Sequence, residues 1–372
     1  VPSSYWQTQS FLQKADITII GAGFTGLFSA LFLKEKYPRS IIRVLEQGPY
    51  PDGASARNAG FACFGSPSEL LDDIETEGEV SALTRLKHRF QGLKLLREIV
   101  GDNYIDYQPN DGFEVFTENE LQLYEKCIEQ LKELNQKAEV HLGYAPFQSE
   151  ATIPTQFSGV KALIRIKGEA TIGTGQLLKR LIKLTQEKAI ELHFNCSVRS
   201  YSYADDHLQV ETGYGKMKTD KLVFATNAYS HTFFPDLPLK PGRGQVLMTQ
   251  PIAGLNLRGS YHLERGYYYL RAIDNRIMLG GGRHLDYQGE STTTEALNPV
   301  IQTELEALLK RLFPKLPIKI DMRWSGIMAF GPNNEKEPII ARRGKNVWIA
   351  ARLGGMGVAM APMVAKKLTA LV

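Results

Sequence analysis

The sequence predicts an α/β (α+β) chain, a Rossmann-like domain with a parallel sheet into which a second domain of antiparallel sheet and helices is inserted. Three observations predict this. A strand, a helix and a second strand around a glycine-rich turn occupy residues 16–45, antiparallel alternation with a tight turn marks 245–280, and nucleotide-domain texture recurs at the start, middle and end of the chain. At 372 residues the chain also exceeds the roughly 250–300 at which single cores stop growing.

In chain order, 16–20 (DITII) and 41–45 (IIRVL) are β-rich apolar runs, and 25–36 between them has helical apolar spacing. From 69 to 100, leucines and isoleucines recur at three-to-four spacing among charged residues, which predicts a helix, and 119–138 repeats the pattern. Between these, 111–116 (DGFEVF) reads as a turn into a strand. A helix from 175 to 186 follows, then strands within 191–203, 207–211 and 221–225. Strands at 245–250, 267–272 and 276–280 read as antiparallel, the last two joined by the turn Asp274-Asn275. A helix at 303–313, a strand at 347–350 and a final helix from 360 complete the chain.

Composition narrows the function. Hydrophobic residues at 43% and charged residues at 23% are globular values, which excludes a disordered or fibrous chain. The net charge is +4, and no block of Lys or Arg would track phosphates, so nucleic acid is not an expected partner. Cys63, Cys127 and Cys196 lie far apart with no C-x-x-C pair, so neither a metal site nor a disulfide framework is expected, and a reducing cytoplasm fits. Gly21, Gly23 and Gly26 interrupt the first apolar stretch, which has no basic leader, so no membrane span is expected. The sequence opens at Val1 and leaves open whether a leader precedes it.

The strongest motif is Gly21-Ala22-Gly23-Phe24-Thr25-Gly26, between a predicted strand and a predicted helix. The glycines serve a tight turn, close approach of backbone to a pyrophosphate, and close helix–strand packing, while the helix N-terminus offers N–H groups and partial positive charge. Glu46, followed by Gln47, ends the second strand 20 residues after Gly26, placed to accept from ribose hydroxyls. Dinucleotide binding follows.

Three weaker segments accompany it. Gly53 to Gly60 contains the small residues Ala54, Ser55 and Ala59 with the donors Arg57 and Asn58, and suits close passage of backbone by a flat ring or diphosphate, or is an ordinary polar loop. Thr226 and Asn227 follow an apolar strand and mark a cofactor contact or only a turn. Gly354-Gly355-Met356-Gly357-Val358 precedes the last helix, where amides can meet a charged or electron-rich group, or simply turn the chain.

With ATNAYS at 225–230, YYYLRAIDNRIMLGG at 267–281 and the tail from Trp324 to Pro362, these motifs resemble the D-amino-acid oxidase family of FAD-dependent oxidoreductases. That family includes glycine oxidase, sarcosine oxidase and γ-glutamylputrescine oxidase, and GASARNAGF with DNRIMLGGG is most similar to the last branch. The resemblance implies FAD, with pyrophosphate at Gly21–Gly26, ribose at Glu46, adenine near Val198, and the isoalloxazine between the 54–62 loop and the 354–357 turn. It implies a discontinuous FAD domain of 1–80, 155–235 and 324–372, and a substrate domain of 81–154 and 236–323. The activity implied is oxidation of a small amine or amino acid by hydride transfer to the flavin, with oxygen or another carrier as electron acceptor.

Tyr269 and Arg271 share one side of a predicted strand and line the substrate pocket if that side faces the flavin; otherwise they are a core tyrosine and a solvent-facing arginine. His262 and His284 read as ordinary residues. Family members that act on amino acids carry a carboxylate-clamping arginine before the last FAD segment, and 326–331 (GIMAFG) has none, which favours amines over plain amino acids. Cysteine is absent from the region used for covalent attachment, so FAD is expected to be non-covalent, and Met278 stands where sarcosine oxidases place an oxygen-activating lysine. Two other readings stay open, a flavin-dependent 2-hydroxy-acid dehydrogenase on the same fold and a non-catalytic dinucleotide-binding regulator.

Overall fold

Strands that read as unbroken apolar runs fold into a sheet covered on both faces. Ile42–Leu45 and Val347–Ala351 are buried at every position, and Ala15–Ile20 at all but one. Arg43, the one fully buried charge in these strands, pairs its guanidinium with Glu191 at 2.7 Å. The computed structural model describes residues 4–333 and 335–372. The chain divides into two units, the first comprising Val1–Ala56, Gly175–Lys240 and Met328–Val372, the second Arg57–Thr174 and Pro241–Ile327.

In the first unit the strand order is Ile339–Gly344, Val347–Ala351, Gly215–Phe224, Ala15–Ile20, Ile42–Leu45, Glu191–His193. All neighbours pair in parallel except the edge strand Ile339–Gly344. The early part of Gly215–Phe224 also pairs antiparallel with Leu208–Thr212, which pairs with Val198–Tyr203. Helices Phe24–Lys36 and Gly357–Leu371 pack on each other, and the small residues Ala30, Ala361 and Ala365 are buried.

The second unit holds a mainly antiparallel sheet in the order Ile320–Phe330, Lys240–Thr249, Arg276–Gly281, Tyr268–Ile273, Ser260–Leu263, Gly112–Thr117, Val160–Ile166, Phe147–Glu150. Ser260–Leu263 pairs in parallel with Gly112–Thr117. Leu270, Leu279, Leu247, Val115, Leu263 and Tyr261 point to one face, where Ile301, Leu305, Leu308 and Leu309 of the helix Pro299–Leu312 close the core. Asp274 and Asn275 both take positive φ in the turn between Tyr268–Ile273 and Arg276–Gly281, as the sequence predicts.

Several boundaries differ from the sequence reading. The helix expected over 69–100 is two helices, Pro67–Glu77 and Glu79–Val100, because Gly78 sits at φ +84°. Strand 191–203 is two strands, Glu191–His193 and Val198–Tyr203, separated by a turn with Asn195 at positive φ. The helix expected over 303–313 spans Pro299–Leu312, capped by Asn298, and the last helix starts at Gly357 rather than 360. Residues 57–80 and 155–174 pack with the second unit, where Phe61–Ala62 pairs with Ala170–Thr171 and Val160–Ile166 joins the sheet.

Leu279 is fully buried in the second core. Leu279→Ala is expected to destabilise the protein by about 2–5 kcal/mol, read as a lowered midpoint in chemical denaturation.

Candidate functional site

In the first unit, strand Ala15–Ile20 runs through the glycine turn into helix Phe24–Lys36. Gly21 takes φ +101°, and a Cβ on Gly26 would overlap the Gly21 carbonyl oxygen, so the helix start lies directly against the turn. Glu46 is buried, its Oε2 accepting from the Ala22 amide at 2.9 Å and its Oε1 from the Gly48 amide at 3.0 Å. The carboxylate is thereby locked beside the turn. The sequence reading leaves the first helix amides free, but Phe24 N donates to Ser55 Oγ at 3.0 Å, so Ser55 caps the helix from the 54–57 segment. A turn with no room for a side chain and a buried carboxylate held next to it fit the pyrophosphate and ribose of a dinucleotide.

The other first-unit candidates are tied within the unit. Asn227, at φ +46°, accepts from the Arg352 amide at 3.1 Å, and Thr226 Oγ1 shares a hydrogen bond of 2.8 Å with Ser230 Oγ. Asn227 thus ties the 225–230 segment to Arg352, just ahead of the glycine turn at 354–357, where Gly354 N donates to Ala329 O at 3.0 Å. Helix Gly357–Leu371 has no side-chain cap on its first turn. Val198 opens its strand half-buried.

In the second unit the Cα register aligns Glu114, His262, Tyr269, Gly280 and Val246 across five strands, and next to them Gly112, Ser260, Arg271, Met278 and Met248. These two rows form the face opposite the leucine core, by the two-residue period of a strand. Tyr269 and Arg271 do share a face, but Arg271 is the buried one and Tyr269 the half-buried one, so the solvent-facing arginine is overturned. A Cβ on Gly280 would meet the Tyr269 ring at 2.5 Å, so the phenol lies over that glycine. Phe61 packs edge-on against both Tyr269 and His262. Burial pushes the Tyr269 phenol up to about 12 and the Arg271 guanidinium down to about 10.

The 57–60 segment is held from inside the same unit. Arg57 pairs with Glu295 at 2.9 Å and donates to Ser325 O at 3.2 Å, while Trp324 Nε1 donates to Arg57 O at 2.9 Å. Asn58 Oδ1 accepts from Gly60 N and Thr174 Oγ1, each at 2.9 Å. Arg271 Nη1 donates to the carbonyls of Ala59, Gly60 and Ile172 at 3.2, 3.0 and 2.9 Å. Arg57 and Asn58, read in the sequence as donors to a ligand, here also brace their own loop.

Sequence reasoning missed a buried cluster beside this loop. Glu169 Oε1 accepts from Phe64 N at 2.9 Å and Gly65 N at 3.2 Å, and its Oε2 pairs with His262 Nε2 at 3.1 Å. Burial opposes the imidazolium, but the Glu169 carboxylate outweighs it and raises His262 to about 9. Cys63, Glu169 and His262 each bring one ligand atom within 4.8 Å of the others, and burial holds the Cys63 thiol protonated. A metal here would have to displace the His262–Glu169 ion pair. Next in the row, Glu114 accepts from Ser68 N at 3.1 Å and from the Ser66 and Ser68 hydroxyls, and burial lifts it to about 7. Positions 63, 114, 169 and 262 are too far apart in sequence for any spacing to reveal the cluster.

A family model described as FAD dependent oxidoreductase (DAO) matches residues 16–371. The chain is 23% identical over 372 residues to the probable oxidoreductase OrdL of Haemophilus influenzae, spanning 94% of this chain and 80% of that one. It is 25% identical over 365 residues to the gamma-glutamylputrescine oxidoreductase of Escherichia coli, spanning 92% and 80%. Of solved structures, the L-proline dehydrogenase from P. horikoshii aligns with a TM-score of 0.76 at 18% identity, over 96% of this chain and 93% of that one. The glycine oxidase from Geobacillus kaustophilus aligns at 0.74 and 16%, over 96% and 95%. These two likenesses show the fold.

Gly26→Val is expected to yield protein that retains no dinucleotide, because the new side chain collides with the Gly21 carbonyl; absorbance of the purified protein at flavin wavelengths checks it. His262 is raised from 6.5 in the unfolded chain to about 9, so its stabilising share is complete below the first value and is lost as pH rises through the second. The unfolding free energy is expected to fall between neutral pH and pH above 9 by an amount on the order of 2–3 kcal/mol, read as a lowered melting temperature, and His262→Gln is expected to flatten that dependence.

Proposed function

The chain belongs to the DAO family of FAD-dependent oxidoreductases, and we propose that it oxidises the C–N bond of a small amine or amino acid, with Tyr269 and Arg271 lining the substrate pocket. FAD, when bound, supplies the acceptor for a hydride from the carbon beside the nitrogen. The residues that would hold it are the Gly21–Gly26 turn for the pyrophosphate, Glu46 for the ribose, and the first-unit segments 54–56 and 354–358 for the ring system, held without a covalent link. The imine left behind hydrolyses in water to a carbonyl compound and an amine or ammonia.

One observation carries the choice of amine over hydroxy acid. Removing a hydride from an alcohol carbon needs a base for the hydroxyl proton, whereas an amine needs only its free lone pair. Of the two rows on the polar face, His262 is the one imidazole, and Glu169 holds it as a cation with Nε2 already engaged. Tyr269 and Arg271 keep their protons. They orient and exclude water rather than abstract a proton; Glu114, the other titratable group of the rows, is engaged by Ser66 and Ser68, and Met278, Met248 and Val246 give the face an apolar end. That apolar surface supports an amine with a longer or aromatic tail, in keeping with the γ-glutamylputrescine oxidase branch. Oxygen or another carrier takes the electrons.

Cys63, Cys127 and Cys196 are buried thiols, which supports a reducing compartment such as the cytoplasm. No helix among the described residues is long and apolar enough to cross a membrane.

An anaerobic screen tests the reading. Yellow protein carrying FAD should lose its flavin absorbance with members of a panel of primary amines, N-methyl amino acids and D-amino acids, and keep it with 2-hydroxy acids. Bleaching by hydroxy acids alone would sink the proposal, as would colourless protein that takes up no FAD.

A further inference from the structure

Cys63 has no part in the proposed amine chemistry, yet it is buried against two other groups of metal-binding type. In the two-stranded pair, Phe61 stands opposite Thr171 and Ala62 opposite Ala170, so continuing that antiparallel register by one residue sets Cys63 opposite Glu169. His262 arrives from the larger sheet of the same unit, and its Nε2 lies 3.1 Å from Glu169 Oε2. The Cys63 sulfur, one Glu169 oxygen and one His262 nitrogen all lie within 4.8 Å of one another, the one such trio among the described residues, and all three residues are buried. Ligand atoms around a tetrahedral zinc ion, with bonds of about 2.0–2.3 Å, stand roughly 3.3–3.6 Å apart. The nitrogen and oxygen already have nearly that spacing, and a shift of about an ångström by the sulfur completes the triangle.

The surroundings suit a metal ligand as well. Glu169 Oε1 takes the amides of Phe64 and Gly65, which fixes the carboxylate and leaves Oε2 turned toward the cluster, as outer hydrogen bonds orient metal-bound carboxylates. Arg89 Nη1 donates to Phe64 O at 3.1 Å and steadies the residue after Cys63. The ion pair of His262 and Glu169 is no obstacle in charge. A dication that replaces the thiol proton of Cys63 and the Nε2 proton of His262 brings in two charges and expels two, so the trio is neutral before and after and no net charge enters the interior.

We propose that Cys63, Glu169 and His262 form a site for a divalent ion of the zinc or cobalt type, with water at the fourth position. A thiolate, an imidazole and a single carboxylate select against magnesium and calcium, which take oxygen ligands in six or more positions. The ion clips the loop after Phe61 to the strand at 260–263, a role that depends neither on flavin binding nor on the C–N chemistry.

The test uses the full chain produced in medium supplemented with cobalt or with zinc, so that the ion enters as the chain folds, followed by elemental analysis and absorbance. Stoichiometric metal is expected, and the cobalt form is expected to show thiolate-to-cobalt charge transfer in the near ultraviolet and the ligand-field bands of a tetrahedral ion at wavelengths beyond flavin absorption. Cys63→Ala is expected to abolish the charge transfer and to lower metal affinity by at least roughly 100-fold, and His262→Gln to lower it similarly, while Cys127→Ala and Cys196→Ala keep both signals. Metal-free protein from supplemented medium overturns the proposal. So does charge transfer that survives Cys63→Ala, or cobalt bound without a thiolate band, which marks adventitious surface binding. Should His262→Gln fail to fold, Cys63→Ala decides alone; should Cys63→Ala fail to fold, Cys63→Ser takes its place, and an unchanged charge-transfer band in that variant overturns the proposal.

Discussion

Glu169 spends its carboxylate on three segments at once. One oxygen takes the amides of Phe64 and Gly65, the other takes His262 from the sheet, and the side chain lies over Gly112, where any Cβ would collide with it. A carboxyl buried to this degree needs partners for both oxygens, so the loop after Phe61, the strand at 260–263 and the strand at 112–117 hold one another in place. Phe61 packs against His262 and Tyr269, and the loop it anchors supplies the carbonyls that Arg271 binds. Loosening Glu169 would therefore disturb Tyr269 and Arg271 although it touches neither in the hydrogen bonds they make.

The sheet of the second unit separates stability from chemistry by its two-residue period. Leucines 247, 270 and 279 face the helix Pro299–Leu312 and carry the hydrophobic burial, while the alternate positions carry Glu114, His262, Tyr269 and Arg271. A slip of one residue in any of these strands would exchange the two sets, placing charges in the leucine core. The apolar face thus specifies the register that aligns the polar row.

In the first unit the same economy of space governs the glycine turn. Gly26 lies so close to Gly21 that only hydrogen fits between them, and Glu46 is locked between the Ala22 amide of that turn and the Gly48 amide just past its own strand. Membership of the FAD-dependent DAO family gives that geometry its cofactor, and the face of Tyr269 and Arg271 gives the proposed function its chemistry.

What the sequence by itself determined is whatever depends on near neighbours. The βαβ unit, the glycine turn with Glu46 at its distance, the Asp274-Asn275 hairpin and the shared side of Tyr269 and Arg271 are local periodicities, and each stands where the pattern puts it. The break at Gly78 was hidden because both halves of that helix carry the same apolar spacing. Tertiary structure alone decided which side of the strand is buried, and hence that Arg271 is a buried cation rather than a surface charge. It alone joined Cys63, Glu169 and His262, aligned Glu114 with His262, and set Ser260 beside Arg271. Burial and ion pairing depend on what other segments bring across a sheet, and a sequence records the spacing of residues along one chain but not the partners that remove them from water.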